Sequence, residues 1–124
     1  MTTVGASPAP RPAPEALEHV FRLMTGHIIS GALQAAARLD IARRLGTGPQ
    51  TAASLAQACG VNEVALYRVL RALASVGVFR EDPARTFSLT PAGEILGSPA
   101  IRALALWITS PVNLHVHAEL MHSI

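Results

Sequence analysis

The sequence predicts a mainly α-helical fold: a winged helix-turn-helix with a long N-terminal helix before it and further helices after it. Two observations predict it. Apolar residues recur at three- and four-residue steps from Leu17 to Leu39 and again from Leu66 to Val76, the period of a helix with one face buried. Turn signals at Gly60-Val61-Asn62 and at Pro83 divide the middle of the chain, and the second is flanked by two short strand-like runs.

Residues 1–14 carry Pro8, Pro10, Pro12 and Pro14 among Ala, Ser and Gly. No core can form from that composition, so a disordered or polyproline-like tail is expected there. Glu15 to Leu39 reads as one long helix, with Leu17, Phe21, Met24, Ile28, Ala32, Ala35 and Leu39 in register. From Ile28 to Ala37 it is apolar on every side, and such a helix is expected to be covered on every side. In a chain this short, a second subunit supplies that cover most easily. Gly26 and Gly31 would each cost roughly 1 kcal/mol in a helix interior, and close helix–helix approach is the expected return. Asp40 reads as the N-cap of a short helix, Ile41 to Leu45, ended by Gly46, Gly48 and Pro49.

The winged helix is expected at about residues 51–90. Thr51 caps a first helix through Leu55, Ala56 and Ala58. A second helix runs from Glu63, with Leu66, Val69, Leu70, Leu73 and Val76 inward and Gly77 as its stop. Val78 to Arg80 and Thr86 to Leu89 form the strands of the wing. Thr90 caps the next helix, which has Pro91 at its first position and Glu94 three residues further on. The remainder is helical: Ala100 to Ile108, a break at Ser110-Pro111, then Val112 onward.

Composition bounds the function. The 124 residues fit one domain, and an added α/β cofactor domain would need on the order of 100 more. Ala and Leu dominate and mean hydropathy is +0.35, which predicts apolar surface that one copy leaves uncovered, hence self-association. All ten basic residues are Arg, they are scattered, and the net charge is +2, so a non-specific nucleic-acid binder is not indicated. Cys59 is the single cysteine, which excludes an intrachain disulfide. The N-terminus lacks a signal-peptide core and no apolar run approaches the roughly 20 residues of a membrane span, so a cytoplasmic protein without membrane partners is expected.

A winged helix often reads DNA, and the outer face of the second helix is where such a role would lie. It carries Glu63, Tyr67, Arg68, Arg71 and Ser75. Arg68 and Arg71 could reach phosphate or guanine. The wing, however, mixes Arg80 and Arg85 with Glu81 and Asp82, whose charges oppose phosphate. The favoured expectation is that the arginines are solvated or paired with acids, and nucleic acid is not expected as a partner. A winged-helix transcription regulator is the alternative reading.

Five blocks of sequence, in order, carry a resemblance to a known family: Leu23-Met24-Thr25-Gly26-His27-Ile28-Ile29-Ser30, Ala36-Ala37-Arg38-Leu39-Asp40-Ile41, Ala65 through Phe79, Leu89-Thr90-Pro91-Ala92-Gly93-Glu94, and Glu119-Leu120-Met121-His122-Ser123. Residues 15–124 resemble the N-terminal dimerisation domain of SAM-dependent O-methyltransferases. The likeness is to bacterial natural-product enzymes, related to the caffeic acid and acetylserotonin O-methyltransferases. The resemblance implies a winged helix that no longer reads DNA and a first helix that interlocks with a partner subunit. Phe21, Met24, Ile28, Ile29, Ala32 and Leu33 would then lie in a homodimer interface. It further implies that the domain walls an acceptor-substrate pocket with Trp107 and Leu114, and with Thr25 reaching in from the partner. Bacterial relatives often carry Trp between 112 and 117, where this chain has Val112, Leu114 and His117.

The family's Rossmann-like SAM domain has no counterpart here, because no Gly-x-Gly-x-Gly occurs and Gly46-Thr47-Gly48 follows a helix rather than a strand. No catalytic residue, cofactor-binding residue or metal ligand is therefore expected, and SAM would enter only with a catalytic domain supplied elsewhere. The chain could be a fragment, a subunit working with a separate SAM-domain protein, or an accessory protein. His115, Glu119 and His122 fall on one helical face, but no supporting pattern favours a metal over ordinary polar positions. His27 reads as an interface histidine rather than a base, and Cys59 as a small core residue rather than a nucleophile.

Overall fold

The computed structural model describes Arg11 and residues 13–120. Their order is α1 (Pro14–Met24), α2 (Gly26–Arg38), α3 (Ile41–Leu45), β1 (Gln50–Thr51), α4 (Ala52–Cys59), α5 (Glu63–Ser75), β2 (Phe79–Glu81), β3 (Thr86–Leu89), α6 (Pro91–Leu96), α7 (Pro99–Ile108) and α8 (Pro111–Ala118). This is the expected mainly α winged helix, with three differences of detail.

First, the long N-terminal helix is two helices. Thr25 leaves helical geometry (φ −99°, ψ 8°), and its hydroxyl donates to the Phe21 carbonyl at 2.8 Å. A Thr that bonds back one turn and is followed by glycine is a physical cause for a break. Second, Asp40 begins α3 without capping it. Its backbone is left-handed (φ 57°, ψ 39°) and no side-chain cap bond forms. The carboxylate instead pairs with Arg43 and, at 3.3 Å, with Arg102. Third, the wing has three strands. Gln50–Thr51 pair antiparallel with Phe87 and Thr86, giving the order β1-β3-β2. The hairpin of β2 and β3 begins one residue later than expected, with Phe79 opposite Leu89.

The cap assignments at Thr51 and Thr90 agree with the structure: their side chains accept from the Ser54 and Gly93 amides. Asn62 does the same for α5, accepting from Ala65 at 2.9 Å. Such a cap is worth about 1 kcal/mol.

The core lies where α2, α3, α4 and α5 meet the sheet. Ile41, Leu55, Leu70, Leu73, Phe79 and Phe87 are fully buried there. Each contributes roughly 1.5–3 kcal/mol through removal from water. Leu66 joins them and Val69 is half-buried, but Val76 is exposed, because α5 ends at Ser75. Gly93 is packed so closely under the wing that a Cβ would collide with the Val78 carbonyl. Apart from its chain neighbours and its own helix backbone, no atom of the described residues lies within 4 Å of a Cβ placed at Gly26 or Gly31, so the close approach expected there is not made among them.

Candidate functional site

The apolar residues of α1 have nowhere to go within one chain. Helix α1 has no buried residue, and Leu17, Val20, Phe21, Leu23 and Met24 are all exposed. A run of this kind at helical spacing is the mark of an interaction surface. Of the expected interface residues, Phe21 (60% exposed), Met24 and Ile28 lie open to a partner. Ile29 and Leu33 are half-buried against the core, and Ala32 is already buried inside the chain. Helix α2 is thus covered on one side only, by α5 and α7, through Ala32, Ala36 and Ala37. The open apolar surface is therefore shifted from the expected stretch, Ile28 to Ala37, toward α1 and the start of α2.

An open groove of about 770 Å³ runs between α1, the start of α2 and the end of α5. Leu17, Phe21, Thr25, Ile29 and Val76 line it, with the Glu18–Arg22 ion pair (2.7 Å) also on its wall. That pair is exposed at both ends and adds little to stability. Val76, expected in the core, belongs to this groove instead.

Thr25 and Trp107, both expected at an acceptor pocket, do not line one groove within the chain. Thr25 lines the groove, its hydroxyl turned to Phe21, whereas Trp107 sits on α7 and is 67% exposed. Leu114 is in α8, but its side chain lies outside the described residues. Around Trp107 runs a second apolar stripe that motif reasoning missed: Ile101, Leu104, Ile108, Val112, Val116 and Leu120, all exposed. Its signal was the three- and four-residue spacing, continuing across the Ser110-Pro111 break.

On the face that would read DNA, Tyr67 and Arg71 are engaged within the chain, while Glu63 and Ser75 are exposed. The Tyr67 hydroxyl donates to Glu81 Oε2 at 2.7 Å, and Arg71 Nε lies 3.5 Å from Glu81 Oε1. The Arg85 guanidinium sits 5.6 Å from the Tyr67 ring centroid, in cation–π geometry. The Tyr67 ring packs edge-on against Phe87, 5.9 Å between centroids. The bond to Glu81, with some loss of water contact, holds the Tyr67 hydroxyl above its ordinary pKa. Arg68 remains exposed. A smaller hollow of about 460 Å³ opens beside this cluster, lined by Thr51, Glu63, Val64, Tyr67 and Arg85 among others.

The described residues carry no Gly-x-Gly-x-Gly loop. Their sheet is three antiparallel strands of two to four residues, with no parallel strand feeding a glycine-rich turn and helix. Among the described residues no three His, Cys, Asp or Glu side chains gather as metal ligands. His115 of α8 faces Glu119, just past the end of that helix, at 3.8 Å, and His122 lies outside the described residues. Cys59 is half-buried, with Sγ 3.9 Å from the Leu39 carbonyl, and packs against the core. His27 is exposed on α2. No helix among the described residues is long and apolar enough to cross a membrane.

Comparison with known proteins agrees with this geometry. Residues 21–98 match the family model of the O-methyltransferase dimerisation domain. O-demethylpuromycin-O-methyltransferase of Streptomyces alboniger is 42% identical over 81 residues, 65% of this chain and 22% of that protein. The 8-amino-8-demethylriboflavin N,N-dimethyltransferase of Streptomyces davaonensis is 31% identical over 94% of this chain and 35% of its own length. The solved structure of the mitomycin 7-O-methyltransferase MmcR superposes with a TM-score of 0.79 at 30% identity, over 88% of this chain and 33% of that one. The chain thus spans between 22% and 35% of the length of these relatives.

Proposed function

The chain belongs to the O-methyltransferase dimerisation-domain family, and from that premise we propose that it is the dimer-forming and acceptor-wall module of a methyltransferase of secondary metabolism. One observation carries the reading: α1 has no buried residue, although five of its side chains are large and apolar. Such a helix is stable only when a second surface covers it. Its groove and its stripe meet the matching surfaces of a second copy, in a symmetric homodimer.

In this reading Thr25 of one copy and Trp107 and Leu114 of the other wall a pocket for an aromatic acceptor. That Thr25 and Trp107 line no common groove within one chain supports that division. Methyl transfer then needs a SAM domain, either on the same polypeptide or on a separate protein, and the described residues alone transfer nothing. The relatives named for O-demethylpuromycin and 8-amino-8-demethylriboflavin support a small natural product as acceptor.

Light scattering at micromolar concentration tests the dimer, with an expected mass twice the 13.0 kDa of one chain. A monomer would overturn the proposal. Calorimetric titration with SAM is expected to give no heat of binding, and a saturable signal would overturn the assignment of cofactor binding to another domain.

A further inference from the structure

Helix α7 is attached to the rest of the chain in an unusual way. None of its residues is buried, and Ile101, Leu104, Trp107 and Ile108 face outward. It packs against α2 and α6. Two polar side chains tie it to α2. Gln34 Nε2 donates to the Leu106 carbonyl at 3.0 Å, and Arg102 Nε donates to the Ala37 carbonyl at 2.8 Å. Both bonds are partly buried.

These bonds are reciprocal. The Ala37 carbonyl is in the last turn of α2, and the Leu106 carbonyl is in the last turn of α7. Carbonyls in a last turn have no partner inside their own helix. Here Gln34 supplies a donor to the Leu106 carbonyl, and Arg102 adds a second donor to the Ala37 carbonyl, which also accepts from the Asp40 amide at 3.2 Å. Gln34 pairs with Leu106 and Ala37 with Arg102, so the two helices run antiparallel and the paired positions fix their register. Arg102 is held in turn by Asp40, 3.3 Å away, at the left-handed turn after α2. No apolar residue of α7 is fully buried and Ala105 alone packs half-buried against the core, so the donor pair is what fixes the register of the helix.

We infer that Gln34 and Arg102 are positioning residues that set α7, and with it Trp107, against the association helix α2. The consequence rests on the reading of Trp107 as a pocket wall: acceptor fit depends on two residues that touch no acceptor. The link also couples the two roles of the domain, since the helix bearing Ile28, Ile29 and Leu33 carries the Gln34 end of the clamp.

The 124-residue chain in its associated state provides the test. Gln34→Met and Arg102→Met keep an unbranched apolar stem and remove the donors, and each checks the other should one fold poorly. Amide hydrogen exchange in α7 is expected to accelerate about tenfold in either variant, the size of effect that follows from losing one such bond. The amides of α4 and α5 are expected to keep wild-type rates. Trp107 is the only tryptophan, so its fluorescence anisotropy reports α7 directly and is expected to fall. Quenching of Trp107 by 2-naphthol, a planar phenol, is expected to need about tenfold more probe. Unchanged α7 exchange, or acceleration spread evenly over all helices, would overturn the clamp. Wild-type Trp107 that 2-naphthol fails to quench would instead overturn the pocket-wall reading, and a clamp still visible by exchange would distinguish the two failures.

Discussion

Tyr67 and Glu81 join the second helix of the winged unit to its wing, through a 2.7 Å bond from the phenol to Oε2. The bond holds the phenol proton, and the Tyr67 pKa stands above its ordinary value of about 10. The sign of the linkage follows. The folded chain binds this proton more tightly than the unfolded chain, so the contribution is present below the unfolded pKa and is lost as pH rises through the folded one. Tyr67 is the only tyrosine, so absorbance at the tyrosinate band reads it alone. The midpoint is expected above the ordinary range and, in Glu81→Ala, below that of the wild type. A midpoint unmoved by the substitution would contradict the bond.

The same cluster bears on DNA. Arg71 is committed to Glu81 and Arg85 to the face of Tyr67, which leaves Arg68 as the open arginine on that part of α5. A specific reader needs several phosphate contacts and at least one bidentate base contact. A gel-shift titration with a 30-base-pair duplex, in about 0.15 M salt, is expected to show no retention. Retention that weakens steeply with added salt would restore the regulator reading.

How much of this was legible depended on whether the signal was local. The caps at Thr51 and Thr90 and the inward set Leu66, Leu70 and Leu73 follow from nearest neighbours and period, and the structure has them as read. Strand β1 did not announce itself: Gln50 and Thr51 carry no alternation, and only pairing with Phe87 and Thr86 makes them a strand. Asp40 looked like a cap because Asp usually is one. The left-handed backbone turned its carboxylate toward Arg43 and toward Arg102, 62 positions on, a partner no local pattern could indicate. Val76 continued the period of α5 past its end, and the helix break at Thr25 opened the groove that Val76 lines. Thr25 and Trp107 were named through resemblance, and that they line no common groove in one chain is tertiary information.

Gly93 should tolerate no side chain. It is buried in α6, with the Val78 carbonyl, Leu89 Cδ2 (3.1 Å) and Phe79 Cδ1 (3.4 Å) facing the position a Cβ would take. A backbone carbonyl yields less than a side-chain end does. Gly93→Ala is therefore expected to lose about 2 kcal/mol in urea unfolding, even though alanine favours helix. A variant as stable as the wild type would mean that α6 can move away from the wing.

The association surface makes the strongest demand on mutation. Phe21 is 60% exposed and Met24 is 59% exposed on the same helix, so a charge at either is harmless to the fold of one chain. Burial of such a side chain contributes about 2 kcal/mol, and a symmetric dimer uses each residue twice. Phe21→Asp should thus cost about 4 kcal/mol of association, or about a thousandfold in Kd. Light scattering is expected to find a monomer at concentrations where the wild type is dimeric, with circular dichroism losing no more helix than the 11 residues of α1 supply. Leu104→Asp applies the same challenge to the α7 stripe, 49% exposed at that residue. If Leu104→Asp separates the subunits and Phe21→Asp does not, the interface lies on α7 and α8, and α1 must be covered by something else.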